Sequence, residues 1–448
     1  MSSRDDFIEK NTTEFESLFK ELISDKGISA TGEGIEETVN LLKSKLQTLL
    51  GAKVEVIQTA GSPTILAGIK GVSDKTVLFY GHYDVMTPGD LKDWNTDPFE
   101  LTKKNHRFYG RGVGDNKGQL LAQILGMYTY KKIHGGFPFN VKFLIEGEEE
   151  QGSRNLPITV KKLADSSLKD VDCVIVVDGS FNQSGQHVLR LGNRGALGFE
   201  VTATTGTQDN HSGNLGNIMQ NPVLVLMNVI QKMYNFDQEK VLIPNYYDGV
   251  VDPDEKEISW MNKLPYDKES ITEQTGVRNL PETGLEYYQK LMFRPTFNIS
   301  GINSGYTDNG IKTIIPNTAV MKLDFRLVGK QDVYKIQESL NKLLAPEIND
   351  GLIKINYLVS VPPCKTSSTD ERIQKIVKAI KDATGSDLIE PAMPGTVPNY
   401  VWADILKVSV FTIPYTNFDQ HNHAPNENLT EKAFYDGIKT TYELWNNM

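Results

Sequence analysis

Apolar positions recur at helical spacing from Asp5 to Ile23, with Phe7, Ile8, Phe15, Leu18, Phe19 and Leu22 on one stripe. The pattern repeats from Glu36 to Leu50, where Val39, Leu42, Leu46 and Leu49 precede Gly51. Two amphipathic helices are predicted. Short apolar runs then alternate with helical stretches: Thr76 to Tyr80, the helix-like Gly118 to Lys132, Val141 to Ile145, and Val171 to Val177. That alternation predicts βαβ units and a largely parallel sheet covered on both faces, giving an α/β fold.

The period changes at Leu197, where Leu197, Phe199, Val201 and Ala203 alternate as in a strand with one buried face. A helix from Asn221 to Tyr234, strands near Thr296 to Ser300 and Ala319 to Leu327, a helix from Gln331 to Leu344 and a strand from Leu352 to Ser360 complete a β-α-β-β-α-β order, the split βαβ arrangement of ferredoxin-like domains. Between Phe236 and Met292 no clean period is visible, and an irregular excursion from this second domain is expected. From about Cys364 the first pattern returns, with a helix from Glu371 to Ala383, a strand from Val408 to Ile413 and a terminal helix from Glu431 to Trp445. Residues 1–192 and 363–448 are therefore expected to form one domain, with 193–362 inserted into it.

A length of 448 residues, about three times a typical domain, agrees with more than one core. With 39% hydrophobic and 23% charged residues the chain is neither disordered nor membrane-spanning by composition. Lys and Arg total 47 against 57 Asp and Glu, a formal charge of -10 without a basic block, so nucleic acid is excluded as an expected partner. The N-terminal segment lacks the apolar stretch of a signal peptide, and no run approaches the ~20 apolar residues of a membrane span; a cytoplasmic protein without a membrane partner is expected. Cys173 and Cys364 are too few for a disulfide framework and are expected to be reduced, buried thiols. No dinucleotide or P-loop glycine motif is present.

In open α/β sheets ligands bind beyond the carboxyl ends of the strands. The chemistry-bearing residues fall there repeatedly. The run ending at Tyr80 leads into Gly-His82-Tyr-Asp84, the run ending at Ile145 into Glu146-Gly-Glu148-Glu149-Glu150-Gln-Gly-Ser153, and the run ending at Val177 into Asp178. The late strand leads into Asp419-Gln-His421-Asn-His423-Ala-Pro-Asn-Glu427, and Asp115 precedes a helix. Each alone has a structural explanation as a helix cap, a turn or a hydrogen-bonded histidine. Together they form a mixed imidazole and carboxylate set suited to Zn²⁺, with enough carboxylates for two cations sharing one of them. Crowding Asp115, Glu149, Glu150 and Asp178 without cations would be repulsive.

The chain here resembles the di-zinc peptidases and deacylases that include aminoacylase, succinyl-diaminopimelate desuccinylase, glutamate carboxypeptidase and the carnosinase-type dipeptidases. The motifs are GHYDV, GRGVGDNKG, EGEEEQGS, DNHSG, IPNTA followed by DFRL, and HAPNE, and they run through nearly the whole chain. DNHSG and HAPNE look most similar to the carnosinase and cysteinylglycine dipeptidase branch. The resemblance implies a parallel-sheet zinc-peptidase domain carrying an inserted ferredoxin-like lid and dimerisation domain. It implies two Zn²⁺ per subunit, with Mn²⁺ or Co²⁺ also compatible with such donors: His82 and Asp178 on one ion, Glu150 and His423 on the other, and Asp115 bridging. Asp84 would orient His82. Glu149 would be the general base of a zinc-bridged water. Glu148 offers an alternative register for the acidic triplet, and His421 competes with His423 for the last ligand position.

On the inserted domain, the resemblance makes His211 an oxyanion donor acting across a homodimer interface. It makes Arg326 a clamp for the substrate's free carboxylate, assisted by Thr396. Without it, His211 reads as a loop histidine capping local backbone and Arg326 as a solvated strand residue. His106, His134 and His187 read as surface residues. The implied function is metal-dependent hydrolysis of dipeptides or short peptides with a free C-terminal carboxylate. An N-acyl amino acid deacylase using the same metal site is the alternative, and the long 236–292 excursion favours the dipeptidase. A catalytically silent relative would have lost a ligand or the base, and every such position is filled.

Overall fold

Eight strands form the larger sheet of the computed structural model, which describes residues 3–448. Their spatial order is Lys53–Ile57, Thr64–Ile69, Phe139–Glu146, Ser73–His82, Cys173–Val176, Ser409–Thr412, Val188–Arg190 and Leu388–Glu390. The four from Phe139–Glu146 to Ser409–Thr412 are mutually parallel, so their carboxyl ends align: His82 lies opposite Glu146, and Tyr80 and Thr412 both opposite Val176. The parallel expectation holds at this centre. The strands Lys53–Ile57 and Thr64–Ile69 pair antiparallel at one edge.

Alternate side chains of the central strands feed two different cores, as a sheet covered on both faces requires. Phe79, Val77, Phe143, Ile175 and Phe411 pack against the helices Ser3–Ser24, Lys117–His134, Arg372–Thr384 and Glu431–Asn447. Leu78, Tyr80, Leu144, Val174 and Val410 pack on the opposite face with Leu156, Val160, Val401 and Trp402. The helix Lys117–His134 is buried on nearly every side. It can start where it does because residue 118 is glycine: a Cβ there would stand 2.0 Å from the Val113 carbonyl oxygen. That close approach sets the Gly110–Asn116 loop at the carboxyl ends of the strands.

The second sheet is four-stranded and wholly antiparallel, ordered Thr296–Ser304, Thr318–Leu327, Gly195–Thr204, Ile353–Val361. Leu197, Phe199, Val201 and Ala203 face a core shared with the helices Pro222–Met233 and Val333–Leu343. Chain order is β-α-β-β-α-β, the ferredoxin-like arrangement.

The excursion departs from expectation. It contains helices Glu255–Met261, Lys268–Thr275 and Gly284–Phe293. Met261, Tyr288, Met292 and Phe293 join Val188, Leu388 and Ala392 in a core of their own, so the segment covers the Leu388–Glu390 edge of the larger sheet instead of trailing from the smaller one. Helices this short bury only one or two apolar positions per turn, too few to set a period. The edge strands Lys53–Ile57 and Thr64–Ile69 and the helix Leu156–Leu163 were likewise not anticipated from the sequence. Both cysteines are free and buried. Among the described residues no helix is long and apolar enough to cross a membrane.

Candidate metal centre

His82 ends its strand at the middle of the sheet and is fully buried. Its Nδ1 lies 3.1 Å from the Asp84 carbonyl oxygen and 3.3 Å from the Asp84 carboxylate. Its Nε2 lies 3.1 Å from Asp115 Oδ1 and 4.0 Å from Asp178 Oδ2. The other oxygen of Asp115 turns to the C-terminal loop: His423 Nε2 is 3.1 Å from Asp115 Oδ2 and 2.9 Å from Glu150 Oε2. Two groups able to hold an ion result, His82 with Asp115 and Asp178, and Asp115 with Glu150 and His423, and they share Asp115.

The electrostatics fit cations. Glu150 Oε1 is buried without a hydrogen-bond partner, an acceptor left free beside the cluster. Burial opposes protonation of His82, yet its hydrogen bonds to Asp115 and Asp84 hold it well above the ordinary imidazole value. Hydrogen bonds to Asp115 and Glu150 raise His423 to about 10. Burial lifts Asp178 to about 6. Burial also holds Glu149 well above the carboxylate range, with Asp178, Asp115 and Glu150 adding to it and His82 opposing. The acidic cluster thus gathers positive charge onto both imidazoles, the charge a divalent cation would supply. Side-chain exposure is 0% for His82 and 8% for Asp178 but 49% for His423, so the cluster opens on the His423 side.

Asp84 ties the two halves of the centre. Its carboxylate accepts the backbone N–H of Glu149 at 3.2 Å and of Glu150 at 3.1 Å while flanking His82. Glu148 points elsewhere and accepts from Asn155 Nδ2 at 2.7 Å. His421 lies in a separate exposed cleft with Asn95, Arg107 and Asn426. Both His421 and His423 have left-handed backbones, φ +57° and +60°, a conformation that costs about 1 kcal/mol or more for such residues.

On the smaller sheet, Arg326 Nη1 donates to Thr396 Oγ1 at 2.7 Å, joining two residues 70 positions apart. Thr396 in turn donates to the Arg194 carbonyl at 2.9 Å. His211 is exposed and engaged locally: Nδ1 accepts from the Gly213 N–H at 2.9 Å, and Nε2 lies 3.1 Å from Thr313 Oγ1. Its bonds within the chain are those of a capping histidine. His187, expected at the surface, is buried against Asp436 at 3.2 Å; His134 bonds Tyr442 at 2.8 Å; His106 stays exposed.

The model of peptidase family M20/M25/M40 matches residues 78–447. The chain belongs to that family. It is a metallohydrolase, and the resemblance to the carnosinase and cysteinylglycine dipeptidase branch is borne out. Beta-Ala-His dipeptidase of Homo sapiens is 30% identical over 84% of this chain and 76% of its own length. Cys-Gly metallodipeptidase of Saccharomyces cerevisiae is 30% identical over 82% and 78%. Among solved structures, an M20 family metallo-carboxypeptidase from Sulfolobus solfataricus is similar with a TM-score of 0.87 at 34% identity, covering 96% of this chain and 98% of its own. Human carnosine dipeptidase 1 gives 0.77 at 27%, covering 99% and 98%.

Several supporting residues of this M20 enzyme escaped sequence reasoning. Asn116 Nδ2 donates to Asp178 Oδ1 at 3.1 Å and to the Val177 carbonyl at 2.9 Å. Gln119 Nε2 donates to the carbonyls of Gly114 and Gly179, holding the loops of Asp115 and Asp178 together. Ser153 donates to Glu146 at 2.9 Å, and Tyr80 donates to the same carboxyl oxygen beneath the acidic triplet. Their partners lie up to 66 positions away in sequence, and no local pattern marks them.

Proposed function

We propose that the chain cleaves dipeptides and very short peptides bearing a free C-terminal carboxylate at a two-cation centre, using Glu149 as general base. The observation that carries this reading is the placement of Asp115, with one carboxylate oxygen toward His82 and the other toward His423 and Glu150. Metal-dependent dipeptide hydrolysis agrees with the similarity to dipeptidases. In our assignment His82 and Asp178 hold one ion, Glu150 and His423 the other, and Asp115 both, with zinc the ion favoured by two imidazoles among carboxylates. When bound, such a pair polarises a carbonyl and brings the pKa of a coordinated water toward neutrality.

The remaining work falls to the chain itself. Glu149 takes a proton from the attacking water and returns it to the departing amine, acid and base work by one carboxylate. Asp84 fixes the Glu149–Glu150 turn through two backbone N–H groups and so aims the base. Arg326, set by Thr396, receives the substrate carboxylate in the planar geometry that a guanidinium favours. We assign residues 1–192 and 363–448 to the catalytic domain and 193–362 to a lid and dimerisation domain. In a homodimer His211 would reach the developing oxyanion of the partner's site.

The test is an assay of purified protein with excess Zn²⁺, Mn²⁺ or Co²⁺ against dipeptides, their C-terminal amides and N-acetyl and N-succinyl amino acids. Turnover of free-carboxylate dipeptides is expected. Hydrolysis restricted to the N-acyl set would replace the proposal with a deacylase.

A further inference from the structure

Glu427 closes the HAPNE motif four residues beyond His423 and is completely buried. Its Oε1 accepts the backbone N–H groups of Gly112 at 3.1 Å, Gly114 at 2.9 Å and Asp115 at 3.0 Å. Its Oε2 accepts from Arg111 Nη1 at 2.8 Å and shares the Gly112 N–H at 3.1 Å. Arg111 is 1% exposed, lies over the Trp94 ring at 5.3 Å and reaches the Thr87 carbonyl at 3.3 Å. Beside it the Gly110 N–H donates to the Glu427 carbonyl, and Asn428 pairs with Tyr109. One side chain thereby closes a loop of converging N–H donors onto the segment that carries His423.

We propose that Glu427, held by Arg111, is the positioning residue that sets the bridging carboxylate of Asp115 for both cation groups at once. The Asp115 N–H is tied to Glu427, and the Asp115 side chain spans the gap between His82 and His423. The Gln119 hydrogen bond to the Gly114 carbonyl ties this loop to that of Asp178, and Glu427 adds the tie from the Asp115 N–H itself to the segment that carries His423. Loss of Asp178 or Glu150 should weaken one group. Loss of Glu427 should weaken both. Desolvating a carboxylate completely is costly, and here the three N–H donors and one guanidinium offset that cost. This inference rests on the two-cation reading of the site.

The experiment compares wild type, Glu427→Ala, Glu427→Gln and, as a control, Asp436→Asn, which alters a buried carboxylate paired with His187 away from the centre. Zn²⁺ binding to the metal-free proteins is followed by calorimetry, Co²⁺ binding by visible absorption, and metal-free stability by thermal unfolding. Glu427→Ala is expected to weaken binding at both sites by about 10- to 100-fold, the range for residues that orient metal ligands, and to shift the Co²⁺ bands. Glu427→Gln keeps one carbonyl oxygen for the Gly114 and Asp115 N–H groups and should recover part of the loss, and it decides the question should Glu427→Ala not fold. Asp436→Asn should lower the melting temperature with unchanged Co²⁺ bands. If the Glu427 variants behave like that control, with reduced stability and wild-type Zn²⁺ affinity, or lose affinity at one site only, the inference falls. A wild-type protein that binds no Zn²⁺ or Co²⁺ would overturn the two-cation reading itself, a distinct outcome.

Discussion

The two sheets hold their functional groups in opposite ways. At the carboxyl ends of the eight-stranded sheet, His82, Asp84, Asp178 and Glu150 are buried or nearly so and His423 is half-exposed, and each is met by a hydrogen bond, an ion pair or a shared imidazole. Arg326 on the four-stranded sheet is half-buried and held by one side-chain hydrogen bond, and His211, on the short ribbon Asn210–His211 that pairs with Ile314–Ile315, is exposed. A group that must present fixed donors to an ion gains from such a rigid setting, because reorganisation would otherwise accompany each binding event. Groups that meet a substrate entering from solvent need less of it. The difference teaches where changes should act: in the larger sheet on metal content and turnover, in the smaller one on substrate affinity.

The largest expected effect is at the shared ligand. Asp115→Asn should deplete both cations and lower kcat by about a thousandfold or more, since each cation contributes several kcal/mol to the transition state; metal analysis beside steady-state kinetics checks it, and retention of two ions would break the comparison at its centre. Glu149→Gln should keep both ions and lose about 10²- to 10⁴-fold in kcat, the span of a general base. Near-wild-type turnover would move the base elsewhere. Arg326→Ala should raise KM for free-carboxylate dipeptides by about 10- to 100-fold, the worth of a charged hydrogen bond, with little change for C-terminal amides. Equal effects on both substrates would erase the distinction between the two sheets.

The smallest effect lies away from either site. Asp370 is paired with Arg372 at 2.6 Å and Ser409 at 2.6 Å; burial opposes its ionisation, but the Arg372 hydrogen bonds carry it down to about 2. A carboxyl whose folded value lies below its unfolded value adds stability that is complete above about pH 4 and is lost as pH falls toward 2. Asp370→Asn should therefore destabilise the metal-free protein at pH 5 and flatten its further loss between pH 4 and 2, measured by urea unfolding at successive pH values. An unchanged acid limb would assign that loss to the carboxylate cluster.

Much of this was legible in the sequence. The central strands announced themselves because both faces are buried, giving unbroken apolar runs such as Thr76 to Tyr80, and the candidate ligands sit where those runs stop. Arg326 and Thr396 were matched across 70 positions only through resemblance, since nothing local to either marks the other. Glu427 stood in plain view as the last letter of HAPNE, but its partners lie more than 300 positions upstream. Burial of His187 is not marked locally, because the residues from Asn182 to Gln186 before it are polar or Gly, while its carboxylate partner Asp436 lies 249 positions away. The helices from Glu255 to Phe293 stayed hidden because the surface they cover is the rim of a sheet, which asks for a few large side chains and no stripe.

That rim has a further meaning. A sheet with open margins can recruit strands from other molecules, and one margin of this sheet, Leu388–Glu390, is shielded by the Glu255–Phe293 helices. The opposite margin, Lys53–Ile57, alternates Lys53 and Glu55 with Val54 and Val56 and presents those charges outward. The molecule thus guards its two flanks against fibril-like stacking by different means, a roof on one side and charge on the other. Deleting the roof would expose a flank with no charges of its own beyond Glu390, already committed to Arg190.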